Sequence, residues 1–351
     1  MIWVTALVLM AVALPALLAR LAGGYLPNPR PELAALAPLA VVPAVAAVIV
    51  AGFAAWWLAA VLAIPAALLV SWQLPPLGQV RFRAAAGPSR GTGSAAAAFR
   101  LRLFTVNAQG GAADPAALLR VLRRHDVDVL AVQELTVPMV RRLAAAGLTG
   151  VLPFAHLDPR PGSRGTGLWA RWPLAPLEPV PGLTSAAPRA RIDPLGGLPV
   201  TLTVVHPVAP VRGHAASWGR ELAVIRQTLA AVAEPQVVAG DFNATRDHRS
   251  FRELLAAGFA DCADASQSRS WPGFTWPVTR RRLPVMRLDH VLVSRTATVP
   301  MTRAIRVPRT DHRGVLAVIE FTQETWPPDR RIRGRRSGGD HRIADSGAHP
   351  S

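Results

Sequence analysis

Gln236-Val237-Val238-Ala239-Gly240-Asp241-Phe242-Asn243 is the stretch on which the reading of this chain turns. A β-prone run over Gln236 to Ala239 closes on glycine and is followed at once by a carboxylate and an amide. A buried strand therefore ends where a loop can hold Asp241 and Asn243 over a cleft. Taken singly, an Asp or Asn at a strand end is more often a turn former or a helix cap. Here the arrangement recurs along the chain. Asn107 follows a strand-like run over Leu101 to Val106, Gln133 and Glu134 follow Val127 to Val132, and His206 follows Val200 to Val205. Asp289 and His290 open the run that ends at Ser294, and Asp311 and His312 precede Val315 to Phe321.

Helical patterns over Ala116 to Arg124, Ala215 to Val232 and Ser250 to Ala257 alternate with these strands. The alternation predicts an α/β domain over residues 100–322, in which two sequential halves each give strands to a layered core. No repeat of solenoid length is present. Glu134, Asp289 and Asp311, with Asp241 and two amides, form a hard-oxygen donor set that suits Mg²⁺ or Mn²⁺ rather than zinc. Such an ion neutralises phosphate oxygens while histidines of near-neutral pKa move protons. These residue types fit hydrolysis of phosphate esters. The single cysteine, Cys262, excludes an intramolecular disulfide and leaves the redox compartment open.

Five stretches carry a family resemblance: Thr105-Val106-Asn107, Val132-Gln133-Glu134, Gly240-Asp241-Phe242-Asn243, Arg287-Leu288-Asp289-His290 before Val-Leu-Val-Ser, and Thr310-Asp311-His312 before an apolar strand. In order and spacing they resemble the endonuclease/exonuclease/phosphatase superfamily, which includes DNase I-like nucleases, sphingomyelinases and inositol polyphosphate 5-phosphatases. The run from Gly165 to Leu174 is similar to that family's glycine-led strand and its R-x-P-L turn. The resemblance implies a four-layer αββα sandwich. It also implies that Asn107, Glu134 and Asp311 ligate or position the metal, and that Asp241 with Asn243 orients the attacking water. By the same resemblance His312, its tautomer set by Asp289, acts as base or as electrostatic partner of the phosphate. His206 then donates a proton to the leaving group, unless Pro207 merely fixes it as a structural residue. Thr310 replaces a serine common in the family and keeps the hydroxyl. His290 stands where relatives often carry tyrosine, and it either touches substrate or fills space.

The N-terminal region has another character. Half of the 351 residues are hydrophobic and 17% are charged, and no charged residue occurs from 1 to 19 or from 33 to 80. The latter segment would make a helix of about 72 Å, against about 20 residues for one bilayer crossing. Three transmembrane helices are expected, near residues 1–21, 33–50 and 56–74, within a membrane domain over residues 1–75. A turn is expected at Gly52, with Trp56, Trp57 and Trp72 at interface depth. The first segment lacks the basic start of a secretory signal, which favours an uncleaved span. A buried helical hairpin is the soluble alternative. Residues 76–99 read as a linker, and residues 323–351, with six arginines among Gly, Ser and Asp, as a disordered basic tail.

All 39 basic residues are arginine, a pattern that GC-rich coding explains without function. The formal charge of +17 suits nucleic acid, anionic lipid or an anionic phosphate substrate alike. Arg280, Arg281, Arg282 and Arg287 form either an anion-binding rim or a solvated loop. Fold does not choose a substrate here, so the choice rests on context. The hydrophobic anchor favours a phosphorylated, lipid-linked substrate at a cell membrane. The layout is similar to that of actinobacterial membrane phosphatases associated with teicoplanin resistance, which implies undecaprenyl diphosphate or a related carrier. A membrane-anchored or extracellular nuclease and a non-catalytic scaffold are the competing readings. Arg81, Arg83 and Arg90 favour a cytoplasmic catalytic domain by the positive-inside rule, whereas the resemblance to cell-wall phosphatases favours an extracytoplasmic one, which is the expectation taken.

Overall fold

The computed structural model describes residues 1–22, 30–74, 97–194, 199–211, 213–269, 273–279, 283–294 and 297–322. Most of the region expected to be a linker, and all of the expected basic tail, lie outside them.

Two mixed sheets stack face to face. The first has seven strands: β1 (Ala97–Asn107), β2 (Val129–Gln133), β3 (Phe154–Asp158), β4 (Thr166–Ala170), β10 (Ser268–Arg269), β12 (Ala297–Arg306) and β13 (Arg313–Thr322), ordered β10-β12-β13-β1-β2-β4-β3. The second has six: β5 (Ala175–Leu177), β6 (Arg189–Ile192), β7 (Val200–Val205), β8 (Gln236–Asp241), β9 (Phe259–Asp261) and β11 (Asp289–Ser294), ordered β5-β6-β7-β8-β11-β9.

Side-chain alternation builds the layers. From β1, Leu101 and Leu103 point between the sheets to meet Leu202, Val204, Val237 and Val291. Phe104 and Val106 point outward, under α5 (Pro115–Arg124) and α6 (Val137–Ala145), which bring Leu118, Leu122, Met139 and Leu143. On the far side, Val205, Val238 and Leu292 are covered by Trp218, Leu222 and Ile225 of α7 (Ala215–Ala230) and by Phe251 and Leu254 of α8 (Arg249–Ala256). The short α9 (Cys262–Ala265) follows β9. The result is helix, sheet, sheet, helix.

Each sequential half gives strands to both sheets, so neither half forms a sheet of its own. The second sheet comes from the middle of the domain, while the first joins its two ends and takes β10 from between β9 and β11, with β13 returning to pair antiparallel with β1. β12 also lay outside the sequence reading. Pro300 interrupts its pattern, and the register with β13 shifts between Thr298 and Met301, where an irregularity accommodates a residue that cannot donate to the ladder.

At the N-terminus lie α1 (Ile2–Ala22), the single turn α2 (Pro31–Ala34), α3 (Ala37–Ala54) and α4 (Trp56–Ser71). α3 packs against both α1 and α4 through an alanine stripe, Ala37, Ala40, Ala44, Ala47 and Ala51, which lets the backbones approach. The helices' other faces expose large apolar residues such as Val12, Ile49, Trp56 and Ile64. α1 and α3 are long and apolar enough to cross a membrane, whereas α4 has 16 residues, about 24 Å of helix against about 30 Å of hydrocarbon. The turn expected at Gly52 lies instead at Ala55, whose extended backbone, φ −165° and ψ 123°, separates α3 from α4. Gly52 itself is helical.

Candidate active site

Strand pairing brings the strand-end residues together. β1 and β2 run parallel with Asn107 opposite Gln133, so Asn107 and Glu134 leave the first sheet side by side. In the second sheet β7 and β8 run parallel with Val205 opposite Gly240, which puts His206 beside Asp241. β11 is antiparallel to β8, with Asp289 directly opposite Asp241. Asp311 and His312 enter just before β13, the neighbour of β1. All eight candidates therefore collect at one end of the two sheets, and all but Asp289 line a single cleft of about 860 Å³. Asp289 lies beneath it, fully buried against His312.

Gly240 makes this approach possible. A Cβ at that position would stand 2.0 Å from the Val205 carbonyl oxygen. Backbone strain also gathers at the cleft: Gln109, Glu134 and Asn243 all adopt positive φ, at 49°, 56° and 48°. Left-handed backbone in non-glycine residues concentrates where surrounding structure imposes it to aim a side chain.

Asp241 Oδ2 is the hub. It accepts a hydrogen bond from Asn107 Nδ2 at 3.0 Å and faces His206 Nε2 at 3.7 Å and His312 Nε2 at 3.8 Å. Asp241 Oδ1 accepts from the Asn243 backbone N–H at 2.8 Å, and the Asn243 side chain donates to the Pro207 carbonyl at 3.0 Å. Asn107 Nδ2 also donates to Glu134 Oε1 at 3.1 Å, while Glu134 Oε2 accepts from Gly110 N–H at 2.6 Å.

Both histidines have an oriented ring. His206 Nδ1 lies 3.0 Å from the Ser163 carbonyl, which can only accept, so Nδ1 carries the proton and Nε2 faces the carboxylates. His312 Nδ1 lies 2.8 Å from Asp289 Oδ2, and Nε2 turns into the cleft. Burial opposes charge on His312, but Asp289 and Asp241 outweigh it and push its pKa up to about 10.

Two positions left open by the sequence are placed. His290 takes the space-filling alternative: it is buried between Asp261, 2.8 Å from Nδ1, and the Ala244 carbonyl, 2.9 Å from Nε2, against the ring of Phe251. Arg287 forms no rim, because its guanidinium pairs with Asp264 at 2.9 Å and Asp261 at 3.4 Å behind the site. Arg280, Arg281 and Arg282 lie outside the described residues. Two further residues hold the site together: Gln109 Oε1 accepts from Asp311 N–H at 2.9 Å, and Trp276 Nε1 donates to Asp311 Oδ2 at 3.2 Å.

The donor set fits a divalent metal. Ligand atoms of Asp241, Asp289 and His312 lie within 4.8 Å of one another, and Asn107, Glu134 and Asp311 add hard oxygens to the same cleft. His312 Nδ1 is already committed to Asp289, so the outer oxygens are the freer ligands.

Two stacked mixed sheets with carboxylates, amides and paired histidines at their common end define a metal-dependent phosphoric ester hydrolase. Residues 104–312 match the Endonuclease/Exonuclease/phosphatase family, and the chain belongs to that family. No curated protein matches the chain. Among solved structures, an endonuclease/exonuclease/phosphatase family protein from Bacteroides thetaiotaomicron is 14% identical with a TM-score of 0.52, covering 64% of this chain and 96% of its own. The mannosyl-6-phosphatase Bt3783 of the same species is 14% identical with a TM-score of 0.51, over 63% of this chain and all (100%) of its own. D. rerio TDP2 complexed with a single-strand DNA product is 19% identical with a TM-score of 0.50, over 63% and 98%. At these identities the likeness establishes the fold.

Proposed function

We propose that the chain is a multi-pass, membrane-anchored hydrolase of a phosphate ester or diphosphate. Residues 1–75 form its membrane domain, with α1, α3 and α4 as spans, and residues 100–322 form its catalytic domain on the extracytoplasmic side. The observation that carries the reading is the convergence of Asn107, His206 and His312 on Asp241 Oδ2 in one cleft. α4 spans despite its 16 residues if Trp72 to Leu74 extend it to the interface.

Asn107, Glu134 and Asp311 would hold Mg²⁺ or Mn²⁺, which supplies positive charge to the phosphate oxygens when bound. Asp241 orients the attacking water. As its oxygen bonds to phosphorus and the ester P–O bond breaks, the water's proton passes to Asp241, the carboxylate that faces that point, while His312, kept protonated by Asp289 and Asp241, sets positive charge beside the phosphate. His206, as an imidazolium whose Nδ1–H is held by Ser163, delivers its Nε2 proton to the leaving oxygen. Asn243 shapes the loop that presents Asp241.

A lipid-linked carrier such as undecaprenyl diphosphate suits the anchor, since tethering concentrates enzyme and substrate on one surface. The test is phosphate release from undecaprenyl diphosphate by the full chain in detergent with Mg²⁺ or Mn²⁺, set against nicking of plasmid DNA. Release without nicking, lost in Asp241→Ala, is expected. Nicking alone would make the enzyme a nuclease. Protease accessibility of the catalytic domain in intact cells tests its placement.

A further inference from the structure

The wall of the catalytic cleft is not made by the catalytic domain alone. Leu33 and Leu36, in and just after α2, line the same cleft as Asp241 and His312, together with Val208 and Val211 in the loop after His206. This placement is clamped. His248 Nε2 donates to the Pro31 carbonyl at 2.8 Å, and Arg20 of α1 pairs with the fully buried Asp247 side chain at 2.5 Å while lying over Trp72 at 4.3 Å. Arg246 donates to the carbonyls of Gln73 and Leu74. The loop that carries Asp241 at its start thus grips the helical bundle at its end, five to seven residues later.

Leu36 packs partly against the bundle, and beyond it the outward face of α3 exposes Leu39, Val42, Ile49 and Phe53 at helical spacing, Val42 being 71% and Phe53 81% exposed. An apolar chain leaving the cleft past Leu36 and round to that face would meet apolar side chains along the helix. A sugar phosphate or a nucleotide has nothing to place there.

We infer that Leu33, Leu36 and Val208 form a specificity-determining subsite for the apolar chain of a phosphorylated amphiphile whose phosphate lies at Asp241 and His312. The inference rests on the phosphoesterase reading above and names the substrate class for that site.

The experiment uses the full chain in detergent with Mg²⁺ and a pair of substrates sharing one head group, a five-carbon and a fifteen-carbon prenyl diphosphate. The readout is the ratio of their kcat/KM values, which does not depend on how much of a preparation is active. The wild type is expected to favour the longer chain by at least about tenfold, what burial of two methylene groups supplies. The double variant Leu33→Ala/Leu36→Ala is expected to bring the ratio to within about twofold of one, and Val208→Ala, in the loop after His206, to lower it independently should the double variant not fold. A wild-type ratio near one overturns the subsite. So does a ratio unchanged in both variants, which would assign the preference to partition into micelles. Phosphate release from neither substrate would instead overturn the phosphoesterase reading itself.

Discussion

Asp241 shows how much of a site one residue can organise. Its two oxygens serve Asn107, the Asn243 backbone and the faces of two histidines, so its loss removes the common point of the cleft. Asp241→Ala and His312→Ala are each expected to lower kcat by about a thousandfold or more, in the range of proton-transfer contributions, with folding unchanged by circular dichroism. Asp289→Asn keeps the shape but removes the charge that orients His312 Nδ1. Steady-state kinetics should show kcat down about a hundredfold and KM nearly unchanged, since Asp289 acts through His312. The residues that meet in the cleft were legible because each sits at the end of a β-prone run. Gln109 and Trp276 were not, because what marks them is contact with Asp311 across 202 and 35 residues of chain. For His290 the sequence left substrate contact and space filling open, and strand alternation decides: next to Asp289 on β11, it points to the opposite face of the sheet, towards Phe242 and Phe251.

Elements locate these residues, and two of them can be tested directly. Gly240→Ala places a methyl group against the Val205 carbonyl, and either β7 and β8 separate or the chain bends. A loss of more than about 1 kcal/mol is expected in denaturant melts, because the native backbone is incompatible with the new side chain. The loop after β8 carries a pH-dependent contact. His248 Nδ1 accepts from the Thr245 N–H while Nε2 donates to Pro31, so the ring is held neutral, and burial, reinforced by Arg252 and His290, lowers its pKa to about 4. A depressed folded pKa means stability that is complete above about pH 6.5 and drains away as pH falls towards 4. Melts across that window should show a loss on the order of 3 kcal/mol that is absent in His248→Asn. Strands with clean apolar runs were readable from sequence; β12 was not, since Pro300 and alternating Thr and Arg hide a strand whose pairing is set by β13.

At the scale of the molecule, chelation of divalent ions should abolish hydrolysis, and Mg²⁺ or Mn²⁺ should restore it in a phosphate-release assay. The junction between bundle and sandwich is held by a charge pair with Arg20 9% and Asp247 0% exposed. Breaking one partner of such a pair costs about 3–5 kcal/mol. A double-mutant cycle of Arg20→Ala and Asp247→Ala, read from melting curves, should therefore show strong coupling. Composition announced the apolar N-terminus, but not that its second turn closes a catalytic cleft, since Pro31 to Leu36 carries no chemistry of its own in the sequence. Nor could local patterns show that the first and last strands of the sandwich are neighbours. That adjacency, with Ala97 paired to Thr322, means that the polypeptide enters and leaves the sandwich on one rung of one sheet, about 5 Å apart. A fold with its entry and exit so close is a cassette. Its two ends can be joined to other segments, or to each other in a circular permutant, without stretching the sandwich, and the bundle that closes the cleft here is held by side-chain contacts, not by the course of the chain.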